Sequence, residues 1–275
     1  MSEVKKVYWH EHTQRELAER IPKLEVVIIP TGSTEIHGHH LGVGNDILTA
    51  SRVCEDVAKI MYPRTLVCRI LWVGYAPHNM CKPFTGTITL SAETYIQVLY
   101  EVAESLQKHG VKRIVFINGH GGNVEPNIIA CRKIREEFYY KYGVKLEVGC
   151  LSYWDVIPLE VWKKVMEVGE CTIGHGGEAE TSLLMAFAPQ AVRTDYMKAP
   201  NVRPHGFPRD MKVKRAWYQD ECNPDGNTDD PRFASKEKGA NLLDAAVRGT
   251  IAALEEFIMY KPVQTHEYPK AQDSR

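Results

Sequence analysis

The chain has 275 residues, of which 44% are hydrophobic and 25% are charged, a composition that is ordinary for a soluble globular protein. The formal net charge is −1, so no overall field favours nucleic acid or an anionic membrane as a partner, and we expect neither. The length suits one large α/β domain better than two small ones, and we expect a single domain over residues 1–275.

The first residues and the cysteines bear on where the protein works. Residues 1–20 are polar. A secretory signal peptide would carry an apolar segment and a small-residue cleavage site, and the sequence shows neither here. No apolar run reaches the roughly 18–20 residues that cross a bilayer. The seven cysteines are scattered and none forms a Cys-x-x-Cys pair, which favours reduced thiols. We therefore expect a cytoplasmic protein.

Predicted strands and helices alternate along the chain. Short apolar runs predict strands at residues 24–30, 65–73, 112–118 and 145–154, and amphipathic segments predict helices at 46–61, 91–109, 125–142, 179–188 and 235–259. Ser91 and Gly110 suit the two ends of the second helix. Such alternation is typical of a mainly parallel sheet with helices on both faces, so we expect an α/β three-layer sandwich. Residues 196–234 contain five prolines, and we expect a loop-rich stretch there that is either a long ordered excursion or a lid.

A loop that contains histidine follows each predicted strand. In chain order these loops read TGSTEIHGHH, GYAPHNMCKPFTGT, GHGGN and, after a helical detour, GHGGEAETS. In open α/β sheets, ligands bind beyond the carboxyl ends of the strands, so the four loops should meet at one edge. We expect the functional site at that edge.

Four residues of these loops suit a metal site. Glu35 and His37 are two positions apart, and in extended backbone their side chains point to the same side. Asp46 begins a predicted helix, where a carboxylate is favoured and its two oxygens can bridge two cations. His120 follows a buried strand among glycines that permit a sharp turn. Carboxylate and imidazole donors suit Zn²⁺, Mn²⁺ or Fe²⁺, and two such ions about 3.5–4 Å apart make a hydrolytic centre.

Simpler explanations exist for each residue taken alone. Asp46 suits a helix N-cap, and a single histidine near a strand end is more often a hydrogen-bonded rim residue than a ligand. The joint pattern favours the metal. In the last cluster, His175 is placed for proton transfer, and either Glu178 or Glu180 for a metal. Residues two apart on a helix diverge, so only one of the two glutamates is expected to face the site.

Four segments resemble a known family. PTGSTEIHGHHLGVGNDILTA, FTGTITL, INGHGGN and HGGEAETSLLMAFAP, in this order between Val26 and Pro189, resemble the signature segments of the creatininase (creatinine amidohydrolase) family. Members of this family are binuclear-metal hydrolases on an α/β sheet. The resemblance therefore implies two divalent metal ions per chain and a homo-oligomer, with the hexamer that is common in the family as the expected form.

The resemblance also implies roles for individual residues. Carried over by motif, the metal ligands are Glu35, His37, Asp46, His120 and Glu180. Glu35 and His120 would bind one ion, His37 the other, and Asp46 both. Glu180 is preferred to Glu178 because the family carries a glutamate directly before the Thr-Ser of its last motif. His175 matches the catalytic histidine, and Trp154 resembles a tryptophan that flanks substrate.

Two departures argue against creatinine as the substrate. True creatininases carry a Tyr-Glu pair where this chain has Gly121 and Gly122, and that glutamate binds the second metal. A second tryptophan of creatininase falls at Cys171. Glu180 or a water would fill the place of the missing glutamate. The family also includes a deformylase, a peptidase of cofactor maturation and ring-opening hydrolases such as a keto-inositol hydrolase.

The expected function is hydrolysis of a small cyclic substrate. Two cations lower the pKa of a shared water toward neutrality, and the resulting hydroxide would attack a carbonyl, with His175 as general acid. Cleavage of a cyclic amide C–N bond is the first expectation, and C–C opening of a cyclic diketone such as a keto-inositol is the alternative. The loops at 75–87 and 196–234 are expected to line the pocket. Candidate substrate contacts are His78, Asn79, Trp154 and Glu178, with Lys82, His205 and Trp217 beside them.

An alternative of another class is a non-enzymatic nucleotide or small-ligand binding module. GHGGN follows a strand and opens a helix, as phosphate-binding loops do. The segment lacks the Lys-Ser/Thr of a P-loop and the G-x-G-x-x-G spacing of dinucleotide-binding folds, so the hydrolase is favoured.

Overall fold

A parallel sheet of four strands lies at the centre of the part of the chain that the computed structural model describes, residues 5–168, 172–201, 213 and 215–260. The strands are β1 (Val26–Thr31), β2 (Thr65–Val67), β3 (Arg113–Asn118) and β4 (Glu147–Ser152), in the order β2-β1-β3-β4. Val27 pairs with Leu66 on one side and Ile114 on the other. All three pairings are parallel, as the alternation of elements predicts.

Eight α-helices surround or flank this sheet in the described residues. They are α1 (Gln14–Arg20), α2 (Asn45–Ile60), α3 (Ala92–Lys108), α4 (Val124–Tyr142), α5 (Leu159–Val165), α6 (Glu178–Phe187), α7 (Gln219–Cys222) and α8 (Lys236–Met259). The predicted cap of α3 is confirmed, because the Ser91 side chain accepts a hydrogen bond from the backbone N–H of Thr94. Gly110 follows that helix with a φ of +95°, a conformation that favours glycine. Among the described residues, no helix combines the length and the apolar character that crossing a bilayer requires.

The two faces of the sheet carry separate hydrophobic cores. Side chains alternate along a strand, so Val26 and Ile28 enter one core and Val27 and Ile29 the other. The first core is closed by apolar residues of α2, α5, α6 and α8, and the second by those of α3 and α4. The predicted α/β three-layer sandwich is therefore confirmed.

The second strand is shorter than predicted. The backbone N–H of Cys68 bonds to the carbonyl of Ile28, and the N–H of Leu71 to that of Pro30. From Cys68 to Leu71 the chain advances three residues, whereas β1 advances only two, from Ile28 to Pro30. The extra residue is a bulge, and the regular pairing of β2 with β1 ends at Val67. The bulge redirects the chain into the loop that carries His78.

The end of the predicted excursion at 196–234 returns to the carboxyl edge of the sheet. The N–H of Thr228 donates to the carbonyl of His175 at 2.7 Å, and the N–H of Gly38 to the carbonyl of Gly226 at 2.8 Å. The predicted His205 lies outside the described residues, as do 202–212 and 214. The lid function of this segment stays a prediction, and so does the single domain.

Helix α8 packs on its neighbours through two glycines. A Cβ at Gly239 would lie inside the backbone of Ser182 on α6, and one at Gly249 would overlap the carbonyl of Val156. This close approach brings α8 against the helix that begins at Glu178, one of the helices that frame the site.

We expect Gly239→Ala to destabilise the fold by at least about 2 kcal/mol, because the added methyl group must push two helix backbones apart. The sign is informative, since Gly→Ala within a helix ordinarily stabilises by about 0.5–1 kcal/mol. Urea unfolding measures the free energy. Glu237→Ala, at an exposed position two residues earlier, is the control and should stay within about 0.5 kcal/mol of the parent. A Gly239→Ala protein of parental stability would contradict the packing described.

Candidate metal centre

Buried carboxylates and imidazoles meet at the carboxyl edge of the sheet. The loops after β1 and β3 face the first turns of α2 and α6 there, and the structure brings all five predicted ligands together. They are Glu35, His37, Asp46, His120 and Glu180, each at most 4% exposed. Two of them come from the first turns of helices, where the partial positive charge of the helix end favours a carboxylate.

The imidazole of His37 directs an unprotonated nitrogen at carboxylates. Its Nδ1 lies 3.2 Å from the backbone carbonyl oxygen of Glu35, and a carbonyl only accepts, so Nδ1 carries the hydrogen. Nε2 then lies 2.9 Å from Asp46 Oδ1 and 3.4 Å from Glu180 Oε1. A nitrogen that faces two carboxylate oxygens has to share either a proton or a metal cation with them, and a donor atom from each of the three residues lies within 4.8 Å of the other two.

His120 repeats this arrangement on the other side of Asp46. Its Nε2 donates to the carbonyl oxygen of Tyr75 at 3.1 Å, which leaves Nδ1 as the free nitrogen. Nδ1 lies 3.0 Å from Glu35 Oε1 and 3.2 Å from Asp46 Oδ2. Both His120 Nδ1 and Asp46 Oδ2 are buried and make no hydrogen bond with the described residues. Buried polar atoms of this kind are rare unless something binds them.

The two oxygens of Asp46 therefore point to two donor groups. Oδ1 is nearest to His37 and Oδ2 to His120, so one carboxylate lies between the two imidazoles. Imidazole and carboxylate donors of this kind suit divalent cations such as Zn²⁺ and Mn²⁺, and Asp46 offers one oxygen to the side of each imidazole. The backbone carbonyls of Glu35 and Tyr75 fix which nitrogen of each ring is offered, as outer hydrogen bonds do at metal sites.

The electrostatics of the cluster favour positive charge. Burial lowers the pKa of His120, but the carboxylates of Glu35 and Asp46 outweigh it and raise that pKa to about 10. Burial likewise opposes protonation of His37, while Glu180 and Asp46 raise its pKa well above the ordinary value. Metal ions compete with these protons, so the affinity for a divalent cation should rise with pH.

His175 borders the cluster from the loop before α6. Its Nδ1 lies 3.6 Å from Glu35 Oε1, and its ring centroid is 4.3 Å from that of His37. The His175 side chain is 16% exposed, against 1% for His37, so it is the member that faces solvent. Burial, and then the neighbouring His37, hold the pKa of His175 well below its ordinary value, and a neutral imidazole results.

Glu178 and Glu180 have different partners. Glu180 Oε1 accepts from Asn45 Nδ2 at 2.8 Å, and its carboxylate reaches His37. The carboxylate of Glu178 instead accepts from the backbone N–H groups of residues 167 and 168 and from the ammonium of Lys238 on α8. These bonds join α6 to α8 and to the segment that follows α5, and the substrate contact expected of Glu178 stays a prediction.

Two of the other predicted substrate contacts lie against the cluster. Asn79 donates to Glu35 Oε2 at 2.7 Å and is buried, so it orients a carboxylate of the cluster. The ring of His78 lies parallel to that of His120, with centroids 5.9 Å apart, and packs on Trp217 of the excursion. Trp154 packs against Tyr153 and the first hydrophobic core, and its contact with substrate stays a prediction.

Sequence reasoning missed the residues that hold these loops. Asn118 bonds to both the N–H and the carbonyl of His120, and Asn123 bonds to the N–H of Tyr75 and the carbonyl of Gly32. Both asparagines belong to the INGHGGN segment, so their proximity to a candidate ligand was a usable signal. Asp229 caps the N-terminus of α6 by accepting from the N–H of Glu178, across 51 residues of sequence, and nothing local indicated that contact.

A protein-family model described as creatininase, creatinine amidohydrolase, matches residues 10–254. The chain belongs to the creatininase family. Membership makes it a metal-dependent hydrolase, so the alternative of a non-enzymatic binding module is set aside.

Relatives of the chain carry three different names. Creatinine amidohydrolase of Pseudomonas putida is 31% identical over 268 residues, which cover 92% of this chain and 97% of the relative. The mycofactocin precursor peptide peptidase of Mycobacterium ulcerans is 33% identical over 83% of this chain and 84% of its own. The 3-dehydro-scyllo-inosose hydrolase of Thermotoga maritima is 28% identical over 87% and 79%. Kinship at this level fixes the class of enzyme and leaves the substrate open.

Solved structures of the family superpose closely. A creatininase described as the Mn form has a TM-score of 0.82 at 29% identity, over 93% of this chain and 100% of its own. A mutant creatininase of the Zn-Zn type has a TM-score of 0.81 at 29% identity, with the same coverage. The predicted creatininase-like fold is thereby confirmed.

The two glutamates of α6 provide a matched pair of variants. We expect Glu180→Gln to weaken the binding of one divalent ion by about 100-fold or more, because a carboxylate that faces His37 loses its charge. The loss should exceed the roughly 10–100-fold that follows when only an outer hydrogen bond at a metal site is changed. Glu178→Gln should leave metal binding unchanged and lower the unfolding temperature, since Lys238 loses its buried partner. Bound metal per chain and thermal unfolding measure the two effects. The reverse pattern would reinstate Glu178 as the ligand.

Proposed function

We propose that the protein is a binuclear metal-dependent hydrolase that opens a small cyclic substrate at an amide C–N bond. The observation that supports this most is the pair of buried imidazole nitrogens, on His37 and His120, that face carboxylates on either side of Asp46. When bound there, two divalent cations would lower the pKa of a water toward neutrality and polarise the substrate carbonyl.

The residues of the chain supply the rest of the chemistry. His175 is neutral and partly exposed beside the cluster, so it can accept a proton from the attacking water. The imidazolium that forms can pass this proton to the leaving nitrogen, which breaks the C–N bond. The sequence suggests an acid with a pKa near the working pH, whereas the low pKa of His175 favours an order in which it first accepts a proton and then donates it.

The setting of His175 holds its ring for this role. The backbone N–H of His175 donates to Thr228 Oγ1 at 2.9 Å, and its carbonyl accepts from the N–H of Thr228 at 2.7 Å. Two backbone bonds to one residue fix the loop, and preorganisation of this kind lowers the cost of reaching the transition state. Because the other members of the cluster are almost completely buried and His175 is 16% exposed, we place the approach of the substrate on the side of His175.

A second candidate is hydrolytic C–C opening of a cyclic diketone. The relative named 3-dehydro-scyllo-inosose hydrolase supports it, as do Gly121 and Gly122 in place of the Tyr-Glu pair of true creatininases. A side chain at Gly122 would collide with the carbonyl oxygen of Tyr75, so the segment at Tyr75 leaves no room for the glutamate that true creatininases carry there. The two candidates differ in the leaving atom, nitrogen or carbon, and share the residues above.

A substrate screen of the metal-loaded protein separates them. We expect turnover of cyclic ureides or cyclic amides, and turnover confined to cyclic polyhydroxy ketones would favour the C–C alternative. The measured metal content should be about two divalent ions per chain, lost together with activity on chelation. A chain that binds no divalent ion would overturn both candidates.

We expect His175→Ala to lower kcat/KM by about 10²–10⁴-fold, the range for loss of a general acid-base group, with the metal content unchanged. His39→Ala is the matched control, because that ring is 57% exposed and not part of the cluster. Steady-state kinetics with the best substrate of the screen, together with metal analysis, make the comparison. Full turnover by the His175→Ala protein would remove the proton-transfer role.

A further inference from the structure

The turn at Pro77–Asn79 places a third imidazole beside the cluster. The ring of His78 is parallel to that of His120 within 1°, with centroids 5.9 Å apart. One nitrogen of His78, one nitrogen of His120 and one oxygen of Glu35 all lie within 4.8 Å of one another. Among the described residues, no hydrogen bond reaches either ring nitrogen of His78, although most of the ring is buried.

Hydrogen bonds on every side hold this turn in place. Asn79 donates to Glu35 Oε2, and the N–H of Tyr75 donates to Asn123 Oδ1 at 2.9 Å. The N–H of Ala76 donates to Thr89 Oγ1 at 2.9 Å. The backbone on both sides of His78 is thus fixed to the loops that carry Glu35 and His120. A histidine on a turn fixed in this way has few other positions to adopt.

Gly122 makes room for the turn. A Cβ there would overlap the carbonyl oxygen of Tyr75 and would lie 2.5 Å from His120 Nε2 and 3.2 Å from His78 Cε1. The segment from Tyr75 to His78 therefore occupies the space that a side chain at residue 122 would need. A side chain at residue 122 would therefore displace the segment that carries His78.

The two groups of donors around Asp46 each contain one imidazole and one glutamate when His78 is left out. One side has His37 and Glu180, and the other has Glu35 and His120, with Asp46 between them. Glu35 Oε2 accepts a bond from Asn79, which leaves Oε1 to face His120, whereas Glu180 accepts from the N–H of Gly176 at Oε2 and from Asn45 Nδ2 at Oε1. A nitrogen of His78 lies within 4.8 Å of donor atoms of Glu35 and His120, and a nitrogen of His175, which we assign to proton transfer, lies equally near donor atoms of Glu35 and His37.

We propose that His78 is a ligand of the metal ion that Glu35 and His120 hold. The donors to that ion are then His78, His120, Glu35 and one oxygen of Asp46, a mixed imidazole and carboxylate set that suits Zn²⁺, Mn²⁺ or Fe²⁺. This inference rests on the proposed two-ion centre. It replaces the substrate contact that the sequence suggests for His78.

The test uses two variants of nearly equal size that differ in charge. His78→Asp keeps an anionic oxygen donor, and His78→Asn offers only a neutral amide. The full-length parent, both variants and His39→Ala as control are titrated with Co²⁺ and with Zn²⁺ against a competing chelator. The readouts are ions bound per chain, the dissociation constant of each ion and the visible absorption of bound Co²⁺, none of which requires a substrate.

We expect His78→Asn to weaken the binding of one of the two ions by about 100-fold or more, since loss of an outer hydrogen bond alone costs about 10–100-fold, and to change the Co²⁺ spectrum. His78→Asp should restore most of that affinity, and His39→Ala should match the parent. Parental affinities in His78→Asn would overturn the inference and leave the two-ion proposal standing. Equal losses in the Asn and Asp variants would also overturn it, because they would show that the ring acts by packing.

A parent chain that binds no ion would instead refute the proposed function and the inference together. If neither variant folds, X-ray absorption of the Zn²⁺-loaded parent decides the question. Three imidazoles for two ions are expected, from His37, His78 and His120, and two imidazoles would overturn the inference.

Discussion

The carboxylate of Asp46, held between two imidazoles, is the interaction on which the rest of the site depends. It is buried beside Glu35 and Glu180, so three carboxylates occupy a region that water hardly reaches. Anions buried together are expensive unless opposite charge lies between them. His37 and His120 supply part of that charge only when they are protonated, and each is turned by a backbone carbonyl so that a bare nitrogen faces the acids. The geometry is therefore satisfied by protons on the two rings or by metal cations, which compete for the same nitrogens.

The fold serves this requirement through close backbone packing. A Cβ at Gly119 would lie 2.7 Å from the carbonyl oxygen of Asp46, and one at Gly32 would lie 3.1 Å from the N–H nitrogen of Ile47. These glycines let the ends of β1 and β3 approach the first turn of α2, which carries Asp46. Buried asparagines then satisfy the polar groups of the loops, so the donors are positioned before any ion arrives. Stability and ligand geometry are set by the same contacts.

The sequence was informative wherever a local pattern decides the structure. The alternation of apolar runs predicted the parallel sheet, and the histidine loops after the strands predicted which edge carries the site. The short helices α5 and α7 were not predicted, because they have too few residues to show a helical period of apolar side chains. α1 was also missed, although Thr13 and Glu16 form a capping box that can be read from the sequence.

Long-range contacts account for the rest of what sequence reasoning could not reach. Spacing on a helix shows that Glu178 and Glu180 diverge, but the choice between them depends on Lys238, which comes from α8. The same limit applies to His78. Its position follows from the bulge at the end of β2 and from the absence of a side chain at Gly122, whose place the segment from Tyr75 to His78 occupies. No local pattern of the sequence predicts this contact between distant segments.

The buried charges also explain how one ligand core can serve several substrates. Asp46 and its neighbours are tied to one another by charge and by backbone hydrogen bonds, so a change at any of them leaves a buried group without a partner. The residues around His175 and Trp217 lie nearer the surface and include none of the buried acids of the cluster. Substitutions there should therefore destabilise the fold less. His78 belongs to both groups, because it touches Trp217 on one side and His120 on the other. A change in the excursion that shifts Trp217 would therefore reach the ligands through a single ring, which makes this contact the direct physical link between the substrate side of the pocket and the metal side.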